Sequence, residues 1–201
     1  MCNEPNEELL EEEENGSTPK ENKPSFFSSV FEWVETLALY FAIALAILLL
    51  LFTHSPVIGN SMYPTLENGD VLIIRKFAYT PKNGDIIVCQ SESYGMETPL
   101  VKRVIATEGQ TVTIDYKSWS VTVDGKTLEE DYINYKPASF MHGSDYLPET
   151  FTVPEDHLFV MGDNRNDSWD SRLESVGFID ERNVLGKVSL KIFPFSGIRF
   201  Y

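Results

Sequence analysis

Val121-Thr122-Val123-Asp124-Gly125-Lys126-Thr127-Leu128 reads as two strands folded back on each other. Asp-Gly between alternating apolar and hydroxylated residues is a strong two-residue hairpin signal, because both central positions of the favoured turn need positive φ. Just before it, Thr111-Val112-Thr113-Ile114 alternates in the same way. Val71-Leu72-Ile73-Ile74, Ile86-Ile87-Val88-Cys89 and Val101 to Thr107 are short apolar runs bounded by turn formers such as Asn68-Gly69-Asp70 and Pro81-Lys82-Asn83-Gly84. Short runs of this kind predict strands. Residues 129–156, richer in Pro, Asp, Glu and Tyr, predict a loop-rich excursion before His157-Leu158-Phe159-Val160-Met161 returns to the sheet. The expected fold is mostly β, a closed or folded-over sheet without a long helix of its own.

The amino-terminal side follows different rules. From Leu37 to Phe52 sixteen residues pass without a charge, and Val34, Thr36 and Thr53 extend the run toward the ~20 residues that cross roughly 30 Å of hydrocarbon. A cleaved secretory signal would need a short basic start, a shorter apolar core and a small-residue exit. Here an acidic segment precedes the run, and Leu51-Phe52 leads into His54-Ser55-Pro56, so a retained membrane helix is expected rather than a signal or a buried core helix. Residues 25–33, with Phe26, Phe27, Phe31 and Trp33, have the composition of an interfacial entry. Three segments result: 1–24 a disordered acidic tail, 25–53 the interfacial segment and transmembrane helix, and 54–201 a β-rich domain.

Charge narrows the classes of partner. The chain of 201 residues carries a formal net charge of −15. Residues 1–24 hold eight glutamates against Lys20 and Lys23, with no apolar period to fold around. No basic face is clustered in the rest of the sequence, which argues against nucleic acid as a partner. Lys20 and Lys23 favour an amino terminus on the cytoplasmic side, leaving the β-domain extracytoplasmic. The two cysteines, Cys2 and Cys89, then fall on opposite sides of the bilayer, and Cys89 reads as a small apolar core residue. Neither the cysteines nor His54, His142 and His157 have metal-ligand spacing, so no metal and no cofactor are expected.

Three further segments carry chemistry. Gly59-Asn60-Ser61-Met62-Tyr63-Pro64-Thr65-Leu66 places a serine just beyond the apolar run. Leu100-Val101-Lys102-Arg103-Val104-Ile105 places a lysine in an apolar strand, where desolvation disfavours the ammonium and lowers its pKa toward that of a usable base. Arg103 points to the opposite strand face and cannot deprotonate, so Lys102 is the available proton acceptor. The third segment, Gly162-Asp163-Asn164-Arg165-Asn166-Asp167-Ser168-Trp169-Asp170-Ser171-Arg172, is dense in turn-forming and charged residues.

Taken in this order behind an amino-terminal apolar run, the three segments resemble the type I signal peptidase family, in its Gram-positive-like form with one amino-terminal anchor. The resemblance extends from about Trp33 to the carboxyl terminus. It implies a signal-peptidase-like β-barrel or β-sheet catalytic domain in which Ser61 is the nucleophile, Lys102 the general base and Ser168 a hydroxyl supporting the lysine. It also implies that the Ser61 N–H is the oxyanion donor, and that Val57, Met62, Leu66, Leu100 and Val101 shape a shallow pocket for a small side chain. Asp170 with Arg172, and Asp163 with Arg103, would form structural ion pairs. Two departures stand out: Gly59 occupies a position where some relatives have serine, and Asn166-Asp167 reverses the usual Asp-Asn order.

The activity so implied is removal of signal peptides from exported preproteins at a lipid bilayer, by Ser/Lys acyl transfer after small residues in an Ala-x-Ala pattern. A self-cleaving repressor-type protease shares the dyad, but the place of its DNA-binding domain is taken here by the acidic segment and the apolar run. The remaining alternative is a catalytically inactive, membrane-anchored β-domain that binds secreted proteins.

Overall fold

The computed structural model describes residues 26–91, 99–116, 118, 120–134 and 150–201. The chain divides into a first unit ending at Ala44 and a second unit, Leu45–Tyr201. The tail, Cys2, His142 and the centre of the 129–156 excursion lie outside the described residues.

Helix α1 spans Phe26–Leu51. Its segment Val30–Leu51 is long and apolar enough to cross a membrane, and none of it is buried by protein. At 1.5 Å per residue, 22 residues reach roughly 33 Å, the thickness of a hydrocarbon core. The helix ends sooner than its composition predicts. Phe52 and Thr53 instead open strand β1 (Phe52–Pro56), because β2 (Val71–Arg75) offers them antiparallel partners in the registers Phe52↔Arg75 and Thr53↔Ile74.

The remaining strands are β3 (Ile86–Cys89), β4 (Leu100–Ala106), β5 (Thr111–Asp115), β6 (Ser120–Val123), β7 (Lys126–Thr127), β8 (Thr150–Thr152), β9 (His157–Met161), β10 (Ile179–Asp180), β11 (Val184–Phe193) and β12 (Arg199–Phe200). They form two antiparallel sheets. The larger has the order β1-β2-β11-β3-β4-β9-β10, with β12 on β11, and the smaller has the order β7-β6-β5-β8. The Asp-Gly hairpin forms as expected: Val123 faces Lys126, and Asp124 and Gly125 both have positive φ. Strand β8 lies within the stretch expected to be loop, because Phe151 pairs with Val112 and its ring buries against Phe159.

Three apolar clusters hold these layers. One lies between the sheets and includes Ile105, Val112, Ile114, Val121, Phe151 and Phe159. A second gathers Val57, Met62, Leu66, Leu72, Ile74 and Val188. The third joins Ile87, Cys89, Val104, Leu158, Val160 and Ile179. All four residues of β3 are buried, which explains why Ile86-Ile87-Val88-Cys89 is continuously apolar instead of alternating. Each large side chain withdrawn from water here contributes about 1.5–3 kcal/mol before entropy is counted. Burial also pushes the Cys89 thiol up to about 12, against the opposing pull of the Lys102 charge, so this cysteine is an inert core residue.

Candidate active site

The loop between β1 and β2 is tied at its base, where Val57 N–H donates to Asp70 O and Gly69 N–H to Val57 O. Gly59 adopts φ 91° and donates its N–H to Asn68 Oδ1 at 2.9 Å, a turn that disfavours a side chain at this position. One helical turn follows, closed by Leu66 N–H to Met62 O at 2.9 Å. Met62 and Leu66 are drawn into the core cluster beneath, and Ser61 is left on the other side of the loop, half-buried. Apolar burial of its neighbours therefore aims the serine.

Lys102 reaches the same point from the centre of the large sheet. It sits opposite Ile87 across the β3–β4 ladder and is 2% exposed. Its Nζ lies 2.7 Å from Ser61 Oγ and donates to Val101 O at 3.0 Å. Among the described residues it forms no ion pair. The nearby carboxylates are engaged elsewhere: Asp170 is gripped by Arg172 through Nε at 2.7 Å and Nη2 at 2.8 Å, and Asp163 by Arg103 through Nε at 2.8 Å and Nη2 at 2.7 Å. Burial lowers the Lys102 pKa, only partly offset by the field of Asp170. Burial alone would raise the Asp170 carboxyl, but the Arg172 charge and hydrogen bonds hold it below the ordinary carboxylate range. Burial thus disfavours the ammonium form of the amine beside the Ser61 hydroxyl, and the two arginines engage the acids that would otherwise support that form.

The segment 162–172 builds the floor. Gly162 N–H donates to Asp170 Oδ2 at 2.9 Å, and a Cβ on Gly162 would collide with the Ser168 hydroxyl and with the backbone carbonyl of Ser61. Ser168 is buried beside that contact. It lies close enough to Asp170 to help hold that carboxyl low, yet its Oγ makes no hydrogen bond of full geometry. The two bonds of the Lys102 amine go to Ser61 and Val101 rather than to Ser168.

A cavity of about 440 Å³ opens over Ser61 and Lys102. Of the residues expected to shape it, Val57, Met62, Leu100 and Val101 line the wall, whereas Leu66 is wholly buried in the cluster behind Met62. Ser55, Pro56, Ile58, Val88 and Pro99 complete the lining and were not evident from sequence. Two strand edges border this space. β1 ends the large sheet, and Leu100–Lys102 pair only with β3 among the described residues, since the β9 ladder begins at Arg103. His54 and His157 lie on β1 and β9, and neither lines the cavity.

Sequence reasoning missed Gly162, whose φ is unremarkable and whose necessity lies in contacts from residues remote in the chain. Gly162→Ala is expected to cost about 1–3 kcal/mol of stability through overpacking. It should also lower kcat/KM by about a hundredfold, because Ser61 moves with its carbonyl. Thermal melts and steady-state kinetics check both; wild-type kinetics in the alanine variant would show the contact to be irrelevant.

The family model described as "Signal peptidase, peptidase S26" matches residues 30–193. The chain is similar to a probable signal peptidase I-1 of Synechocystis sp., at 39% identity over 166 residues, 77% of this chain and 79% of the relative. It is similar to signal peptidase I P of Bacillus subtilis subsp. natto at 38% over 183 residues, covering 86% and 94% respectively. With signal peptidase IB of Staphylococcus aureus the identity is 30% over 185 residues, 85% of this chain and 93% of the relative.

Proposed function

The chain belongs to the signal peptidase, peptidase S26, family, and from that premise we propose that it removes signal peptides from exported preproteins by Ser61/Lys102 acyl transfer at a membrane surface. The observation that carries the proposal is the 2.7 Å approach of Ser61 Oγ to a buried lysine amine outside any ion pair among the described residues. With that amine neutral, the Ser61 hydroxyl donates to Nζ. Attack on the scissile carbonyl forms the Oγ–C bond while the proton passes to Lys102. The ammonium then protonates the leaving amine as the C–N bond breaks. Water, deprotonated by the same lysine, hydrolyses the acyl-enzyme and restores both groups.

The Ser61 N–H supports the oxyanion role. It makes no hydrogen bond to the described residues and so is open to the charge developing on the carbonyl oxygen. Gly59 offers no second donor from a side chain at its position. Ser168, crowded together with the Ser61 carbonyl around Gly162, would play its supporting part by bracing the Ser61 loop beside Lys102. The substrate would lie extended between the edge of β1 and that of Leu100–Lys102, held through its backbone, with small side chains entering the wall of Val57, Met62, Leu100 and Val101. An apolar wall that admits alanine and crowds out larger groups favours cleavage after Ala-x-Ala.

We also propose that α1 spans the bilayer with its amino terminus cytoplasmic and the β-domain outside. The anchor then shares a membrane with the tethered signal segment of its substrate, which raises their effective concentration. Detergent-solubilised full chain incubated with a preprotein bearing an Ala-x-Ala site, with product masses measured, tests the reading. One cut directly after the second alanine is expected; an intact preprotein, or cuts at unrelated positions, would reject it.

A further inference from the structure

Asn164 lies beside the nucleophile without touching its hydroxyl, and it holds the backbone on both sides of Ser61. Its N–H donates to Ser61 O at 2.9 Å, and its side-chain Nδ2 donates to Asn60 O at 3.0 Å. Asn60 O also accepts from Tyr63 N–H at 3.1 Å. The Asn60 carbonyl and the Ser61 N–H are opposite ends of one planar peptide unit, so fixing the carbonyl fixes the direction of the N–H. The Asn164 amide is itself oriented, because Asn134 Nδ2 donates to its Oδ1 at 3.3 Å while the backbones of 134 and 164 form a parallel bridge. The bridge is closed by Asn134 N–H to Asp163 O at 2.8 Å and Arg165 N–H to Asn134 O at 3.0 Å.

We infer that Asn164 is a positioning residue for the oxyanion site: its side-chain amide clamps the Asn60–Ser61 peptide so that the Ser61 N–H points at the place where the carbonyl oxygen becomes negative. This rests on the proposed role of Ser61 and deepens it. With no hydroxyl at position 59, the Ser61 donor carries the site, and a single donor stabilises only as well as it is aimed. Ground-state binding, which depends on the strand edges and the apolar wall, does not need that aim. The clamp therefore acts on the tetrahedral state and leaves substrate affinity alone.

The test compares the full chain in detergent with Asn164→Ala and with Asn164→Asp, which keeps the side-chain volume but removes the donor. Three quantities are read: kinetics on an Ala-x-Ala preprotein, affinity for a peptide ending in alanine aldehyde, and affinity for the same peptide with a reduced scissile amide. The aldehyde accepts Ser61 Oγ at its carbonyl carbon and develops the oxyanion, whereas the reduced amide has no carbonyl to do so. Both variants are expected to lose about 10- to 100-fold in kcat, with KM within about twofold, somewhat less than deletion of an oxyanion donor. Aldehyde affinity should fall by the same factor and reduced-amide affinity should hold; in Asn164→Ala, which changes no charge, the pH midpoint of activity should stay in place, whereas the carboxylate added by Asn164→Asp should move it upward. Asn134→Ala, which only frees the amide to rotate, is expected to give a smaller loss with the same split, and it provides the comparison should the Asn164 variants fold poorly. Folded variants that retain aldehyde affinity, or lose both peptides equally, overturn the clamp. A wild-type protein that forms no aldehyde adduct at Ser61 overturns the nucleophile assignment, and the clamp with it.

Discussion

Lys102→Arg and Lys102→Met are each expected to lower kcat for preprotein cleavage by about 10⁴-fold or more, the scale reached when one member of a nucleophile–base pair is lost. Guanidinium keeps charge and length but stays protonated, so arginine separates the role of base from that of cation. The methionine variant has a second expected outcome: at neutral pH it should melt higher than the parent. Lys102 is buried outside any ion pair among the described residues, and burial holds its pKa below the ordinary 10.5. Between that lowered value and 10.5, the unfolded chain binds a proton that the folded chain does not. Stability of the parent therefore rises with pH through this window, by about 1.4 kcal/mol per unit of difference, and below it the full penalty of a buried ammonium is present. The advantage of methionine should shrink as pH approaches about 10.4. Parent activity should climb through the lowered pKa and level off well before that point. Activity that rises only above pH 10, or an active arginine variant, would remove Lys102 from the mechanism.

Arg172→Ala is expected to be the most destabilising single change near the site. Arg172 and Asp170 are both fully buried, and removing the arginine leaves a carboxylate enclosed without its counter-ion, at a cost of about 3–5 kcal/mol. It also frees Asp170 to act on Lys102, raising the lysine pKa and moving the pH–activity curve upward. Ser168→Ala should behave in the opposite way. Its hydroxyl is buried without a full hydrogen bond, so losing it should change stability by less than about 1 kcal/mol, while activity falls as packing beside the Ser61 loop loosens. Chemical denaturation with parallel kinetics separates the two; equal losses of folding and activity in both would reduce the 162–172 segment to a brace.

The local parts of this architecture were legible in the sequence. The Asp124-Gly125 hairpin, the uncharged run from Leu37 to Phe52 and the strand placing Lys102 and Arg103 on opposite faces follow from patterns within short stretches of chain, although the end of the helix at Leu51 did not. The pairs Asp170–Arg172 and Asp163–Arg103, named through the resemblance, are present as ion pairs. What was illegible depends on residues far apart in the chain. β11 lies between β2 and β3 in the large sheet, and nothing in Val184–Phe193 announces those partners. The Arg165–Glu130 pair and the stacking of Arg103 on Tyr132 at 3.9 Å join segments that sequence spacing does not relate. Gly162 and Asn164 read as ordinary turn residues. Their importance arises only when the 162–172 segment is folded under Ser61, since no period in a sequence records a contact across a hundred residues.

The edge of Leu100–Lys102, unpaired on the side away from β3 among the described residues, has a kinetic consequence. Main-chain pairing is indifferent to side chains, so on the proposed reading the part of a substrate before the cut is held by a ladder that survives bond cleavage, whereas the part after the cut is not. The mature protein should leave first, and the spent leader should linger as a competitor for the next substrate until it slides away along the bilayer. Turnover at high substrate would then report the departure of a fragment rather than the breaking of a bond.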